Sequence, residues 1–213
     1  MKNIFLFLVA ILALTACGSE QSPSDSDPNQ PLPVLGNKDV SEQGDTIFHT
    51  VPAFALTNQD SQRITNEQFA GKAYVVDFFF TSCPSICPKM QREMLRIYDR
   101  YPDQKNLELV SFSIDPRNDT VERLKEYSEN LGVSAERWHL LTGDKDEIFA
   151  LADDFFSIVI EDPEAPGGLD HSGRILLVDP DGKIRAFVSD GTQPEQVDMF
   201  FPKIEKLLKE MEG

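Results

Sequence analysis

Cysteine and histidine are scarce in this 213-residue chain, three of each, so any thiol or metal chemistry must be built from very few side chains. Basic residues are short as well: Lys and Arg number 20 against 36 Asp and Glu, a formal charge of -16. A phosphate-binding surface needs clustered Lys and Arg, so the balance argues against nucleic acid as a partner, and a cation is the easier ligand. No Gly-x-Gly-x-x-Gly or P-loop pattern occurs, and with them go the usual nucleotide cradles. Beyond the first residues no second long apolar run and no internal repeat is visible. What is present, 40% hydrophobic and 26% charged, is the composition of a soluble globular protein with length for one domain and its extensions.

The N-terminus reads as a targeting segment. Lys2 supplies the positive start, and "IFLFLVAILAL" is too short to span a bilayer but suits a signal core. It ends in "LTAC", Leu14 to Cys17, which resembles a bacterial lipobox in which the cysteine becomes the first mature residue and carries lipid. Acyl chains on Cys17 would hold the protein at a membrane without spanning it. The plainer alternative is a secretory signal in which Cys17 is incidental. Residues 1–16 are therefore expected to be a lipoprotein signal peptide. Residues 17–45, rich in Ser, Asp, Pro, Gln and Gly, read as a flexible tether, and 46–213 as the folded domain. That domain is expected in the cell envelope, facing the periplasm or exterior, where an unprotected thiol pair tends to oxidise.

Within 46–213 strand and helix signals alternate. "AYVVDFFF" is a near-continuous apolar run, as in a strand buried on both faces. Met90, Met94, Ile97 and Tyr101 recur at helical steps, and "LELVSFSI" is a second strand. Asp119 with Glu122, Asp144 with Glu147, and Thr192 with Glu195 have capping-box spacing; Gly132 marks a helix stop, and Pro202 should kink or split the last helix. "DPDG" between "RILLV" and "KIRAFV" predicts a hairpin. The sum is an α/β fold, a mixed central sheet flanked by helices and closed by a C-terminal hairpin and helix.

Cys83 and Cys87 lie at the junction of the apolar strand and the following helix. A helix N-terminus favours thiolate over thiol, and Pro88 suits an early helical turn. Four residues apart, both sulfurs can face one point, which leaves a disulfide, a redox couple and a metal clamp open. A third ligand could come only from His49, at the edge of the tether and read as a surface residue, His139, read as structural, or His171, just before the hairpin beside Asp170.

"DFFFTSCPSICPKM", "SIDPRNDTVERLKEY" and "DHSGRILLVDPDG", in this order, resemble the Sco/SenC family over about residues 46–211. The resemblance implies a thioredoxin-like fold and a copper site, Cu(I) or Cu(II), made by Cys83, Cys87 and His171. It implies a membrane-anchored copper chaperone that assists assembly of the dinuclear copper centre of cytochrome c oxidase. Its partners would be a copper-receiving oxidase subunit and a copper donor or reductant. Many members carry Asp where this chain has Ser85, which removes none of the three ligands. Two thiolates and an imidazole suit copper and would also accept zinc. Asp170 is read either as an orienting partner of His171 or as a helix-cap or surface residue, and Asp77 either as a sheet-edge residue or as a buried carboxylate near the sulfurs. Two further readings use the same cysteines. One is a thiol–disulfide oxidoreductase with Cys83 and Cys87 as its catalytic pair; the other is a binding module in which they form a structural disulfide.

Overall fold

The computed structural model describes residues 30–212. Its elements run β1 (Lys38–Val40), β2 (Thr46–Phe48), β3 (Ala55–Asn58), β4 (Arg63–Thr65), β5 (Ala73–Phe79), α1 (Cys87–Arg100), β6 (Leu107–Ser113), α2 (Val121–Leu131), β7 (Trp138–Thr142), α3 (Lys145–Asp154), β8 (Val159–Glu161), β9 (Leu169–His171), β10 (Ile175–Val178), β11 (Ile184–Val188), α4 (Pro194–Asp198) and α5 (Phe201–Met211). Seven strands form one mixed sheet in the order β11-β10-β5-β6-β7-β3-β4. Its centre, β5-β6-β7, is parallel, and the outer pairings are antiparallel.

Parallel neighbours need helical crossovers, and α1 and α2 supply them. Such strands are covered on both faces, so every residue of β5 and of β6 is buried, as the apolar runs predict. Helix α1 lays Met90, Met94 and Ile97 into the core. Phe78, Phe112 and Phe155 meet between the sheet and α3, with ring centroids 5.2 to 5.9 Å apart. The "DPDG" turn joins β10 to β11, and Pro202 falls in the first turn of α5, where a break separates it from α4. Gly132 closes α2 at φ 73°, a left-handed conformation that glycine adopts without strain.

Two local expectations shift. Asp144 does cap α3, accepting from the Glu147 amide at 3.0 Å, but the cap of α2 is Thr120, one residue beyond Asp119. Gln193, not Thr192, precedes α4, and the Thr192 hydroxyl donates instead to Asp190 at 2.6 Å. The composition of the tether segment also hides packed residues. Leu32 is buried, its amide donates to Glu210 at 2.6 Å, and the Leu35 amide donates to the Ile184 carbonyl at 2.8 Å. Arg185 locks this strap, donating to the Leu32 and Pro33 carbonyls while pairing with Asp179 and Glu210. Two leucines and a clasping guanidinium outweigh the polar residues around them. Residues 1–29, and with them Cys17, lie outside the described residues. Among the described residues no helix is long and apolar enough to cross a membrane.

Candidate metal centre

Beyond the last residue of β5 the chain turns through 80–86 into α1, bringing Cys83 onto the loop and Cys87 into the first helical turn. His171 arrives from the other side, as the last residue of β9, held in register with Val159 of β8. The two sulfurs and an imidazole nitrogen all lie within 4.8 Å of one another, and all three residues are buried. Cys87 Sγ is 3.2 Å from His171 Nε2. His171 Nδ1 faces the Ser172 carbonyl at 3.3 Å, and Nε2 is turned toward the sulfurs. Phe80 stands edge-on to the imidazole, centroids 6.1 Å apart.

Both thiols are free. Cys83 is pulled down to about 3, chiefly because the Cys87 S–H donates to its sulfur, with smaller help from His171, Ser85 and the Cys87 amide. Cys87 is pushed up, first by that same bond and then by burial. The pair thus behaves as one unit that releases its first proton easily and holds the second. Ser85 Oγ, 3.5 Å from Cys83 Sγ, adds a neutral partner where a carboxylate would repel a thiolate.

Asp77 is fully buried in β5, flanked by β10 and β6, and so is not at a sheet edge. It accepts from Gln91 Nε2 at 2.6 Å and from the Ser111 hydroxyl, which in turn accepts from the Trp138 indole at 2.9 Å. Burial raises its carboxyl to about 7, opposed by those donors and by the nearby His171. Asp170 is different. Strand alternation turns it away from the buried His171 side chain, and it is exposed. The orienting partner of the imidazole is the Ser172 carbonyl, which no side-chain pattern reveals.

The remaining histidines stay out of the site. His139 is buried between Glu108, 2.9 Å from Nε2, and Asn58, in the structural role expected. His49 is not the solvated residue its position implies: its Nε2 lies 2.8 Å from the Asp154 carbonyl and its ring packs on Phe156.

A model of the family described as SCO1/SenC matches residues 42–209. The chain belongs to the SCO1/SenC family. A SCO1/SenC family lipoprotein from Bacillus anthracis shares its fold at TM-score 0.68 and 30% identity, over 75% of this chain and 95% of that one. BsSco, described as a member of the Sco family of cytochrome c oxidase assembly proteins and as carrying a disulfide switch, matches at TM-score 0.64 and 29% identity, over 75% and 93% of the two chains. Arabidopsis thaliana ScoI, solved with copper bound, matches at TM-score 0.61 and 25% identity, over 74% and 99%.

Proposed function

We propose that this chain is a copper chaperone that takes up one copper ion at Cys83, Cys87 and His171 and passes it to a copper-receiving subunit of cytochrome c oxidase. A lipid on Cys17 would hold it at a membrane of the cell envelope. The observation that carries the reading is the convergence of two sulfurs and an imidazole nitrogen within 4.8 Å, from two stretches of chain separated by 84 residues in sequence. Sulfur and imidazole donors suit Cu(I) and accept Cu(II). Three protein ligands leave the ion open to a competing ligand from a partner, whereas a closed four-ligand site would retain it. Membership of a family that includes cytochrome c oxidase assembly proteins, and the copper-bound and lipoprotein relatives, support the same cargo, client and anchor.

The test is titration of the reduced chain, carrying Cys17→Ser, with Cu(I) and Cu(II). One copper per chain is expected. Changes to groups that only orient a metal's ligands cost ~10- to 100-fold in metal affinity, so replacing a ligand itself, as in His171→Ala, should cost more than ~100-fold while the domain still folds. Unchanged affinity in that variant would sink the three-ligand site.

The unequal thiols favour a second reading on the same atoms. A low-lying Cys83 thiolate is an attacking group for a partner disulfide, with Cys87 the resolving thiol. Reductase activity that survives copper chelation and the loss of His171 would favour this role over copper delivery.

A further inference from the structure

Of the three ligands, Cys87 is fixed by α1 and His171 by the paired strands β8 and β9, whereas Cys83 sits within the connecting loop. That loop is gripped at Thr81, two residues before the sulfur. The Thr81 hydroxyl donates to Asp119 Oδ1 at 2.6 Å and its amide to Asp119 Oδ2 at 3.1 Å. Asp119 is wholly buried, and its Oδ2 also accepts from the Ser113 hydroxyl at the end of β6 at 2.5 Å. From α2, Arg123 Nε donates to the Thr81 hydroxyl at 3.2 Å. Asp119 is itself held by its amide, which donates to the Asp115 carbonyl at 2.9 Å.

A buried carboxylate is costly unless fully engaged, and its whole capacity here is turned on one loop and one strand end rather than on the helix beside it. Capping α2 needs none of this, because Thr120 does that work. We propose that Asp119 is a positioning residue: it ties the loop that carries Cys83 to the end of β6 and so sets that sulfur against Cys87 and His171. Without the tie, the Cys87–His171 contact persists and Cys83 loses its fixed place. The inference rests on the copper reading for its metal readout only, since the spacing of the two sulfurs also governs how readily they form a disulfide.

The test compares Asp119→Ala, Thr81→Val and Thr81→Ser in the full chain carrying Cys17→Ser, with the core variant Leu124→Ala as a control for lost stability alone. Leu124 is buried on α2, the helix that follows Asp119. Two quantities are measured beside the melting temperature: Cu(I) affinity by competition, and the equilibrium of the Cys83–Cys87 disulfide against glutathione. Asp119→Ala and Thr81→Val are expected to weaken Cu(I) by ~10-fold or more and to shift the disulfide equilibrium. Thr81→Ser should recover both, and Leu124→Ala should move only the melting temperature. Should Asp119→Ala fail to fold, Thr81→Val carries the comparison. Variants that lose stability as Leu124→Ala does, with affinity and disulfide equilibrium unchanged, overturn the inference. A parent chain that binds no Cu(I), beside variants that still shift the disulfide equilibrium, would refute the copper reading and leave the positioning role standing.

Discussion

Single residues in this protein differ in meaning according to what surrounds them, and the carboxylates show it best. Asp170 adjoins a ligand in sequence and faces solvent, while Asp77, six residues before Cys83, is buried beneath the site. Because burial holds the folded Asp77 carboxyl near 7, above the ordinary 3.8 of an unfolded chain, the folded state binds the extra proton between those values. Its contribution to stability is then fully present below about pH 4 and falls as pH rises to about 7. Asp77→Asn in the metal-free protein should remove that part of the pH dependence, a change on the order of a few kcal/mol across the window. Chemical denaturation at several pH values measures it; parallel curves for parent and variant would show that Asp77 does not titrate there.

At the scale of elements, the site depends on pieces that contribute no ligand. The turn between β8 and β9 carries Gly167 at φ 88° and Gly168 at φ 79°. A Cβ at Gly167 would lie 2.8 Å from the Phe80 ring, the ring that stands against His171, whereas at Gly168 it meets open space. Alanine at either position carries a left-handed backbone penalty of roughly 1–2 kcal/mol, but only Gly167→Ala should also weaken copper binding. Equal affinities in the two variants, read by the same Cu(I) competition, would show that Phe80 does not support the site.

The same scale explains what could be read from sequence. The apolar runs, the cysteine pair and the hairpin have local signatures, since a buried strand or a tight turn imposes its pattern on adjacent residues, whereas His171 as third ligand is legible only through the resemblance to the Sco/SenC family. Asp119 has the spacing of a helix cap, and its true partners, Thr81 and Ser113, come together only when β5 and β6 pair. Ser111 meets Asp77 for the same reason, Gln91 reaches it only when α1 packs on the sheet, and the backbone carbonyl behind His171 has no side-chain identity to notice.

For the whole molecule, the strap at Leu32 to Leu35 makes the N-terminal segment part of the packed domain. Leu32→Ala removes a buried side chain at the rim of the core and should cost about 2 kcal/mol. That corresponds to roughly 4–8 °C in melting temperature for a chain of this size, with copper affinity unaltered. No change in melting temperature would mean that the strap does not hold in solution.

The register of the sheet gives the strap a further meaning. Leu35 bonds to Ile184, which lies level with Val178 and Tyr74 at the start of β5, while the thiols follow its end. At ~3.3 Å per residue, the five steps from Tyr74 to Phe79 put about 17 Å between the strap's level and the end of the strand. The molecule therefore has two poles, one where the chain arrives and one where the sulfurs sit. Were the chain held by its N-terminus to a surface, as the proposed lipid on Cys17 would hold it, the sulfurs would stand at the pole that faces away from the support.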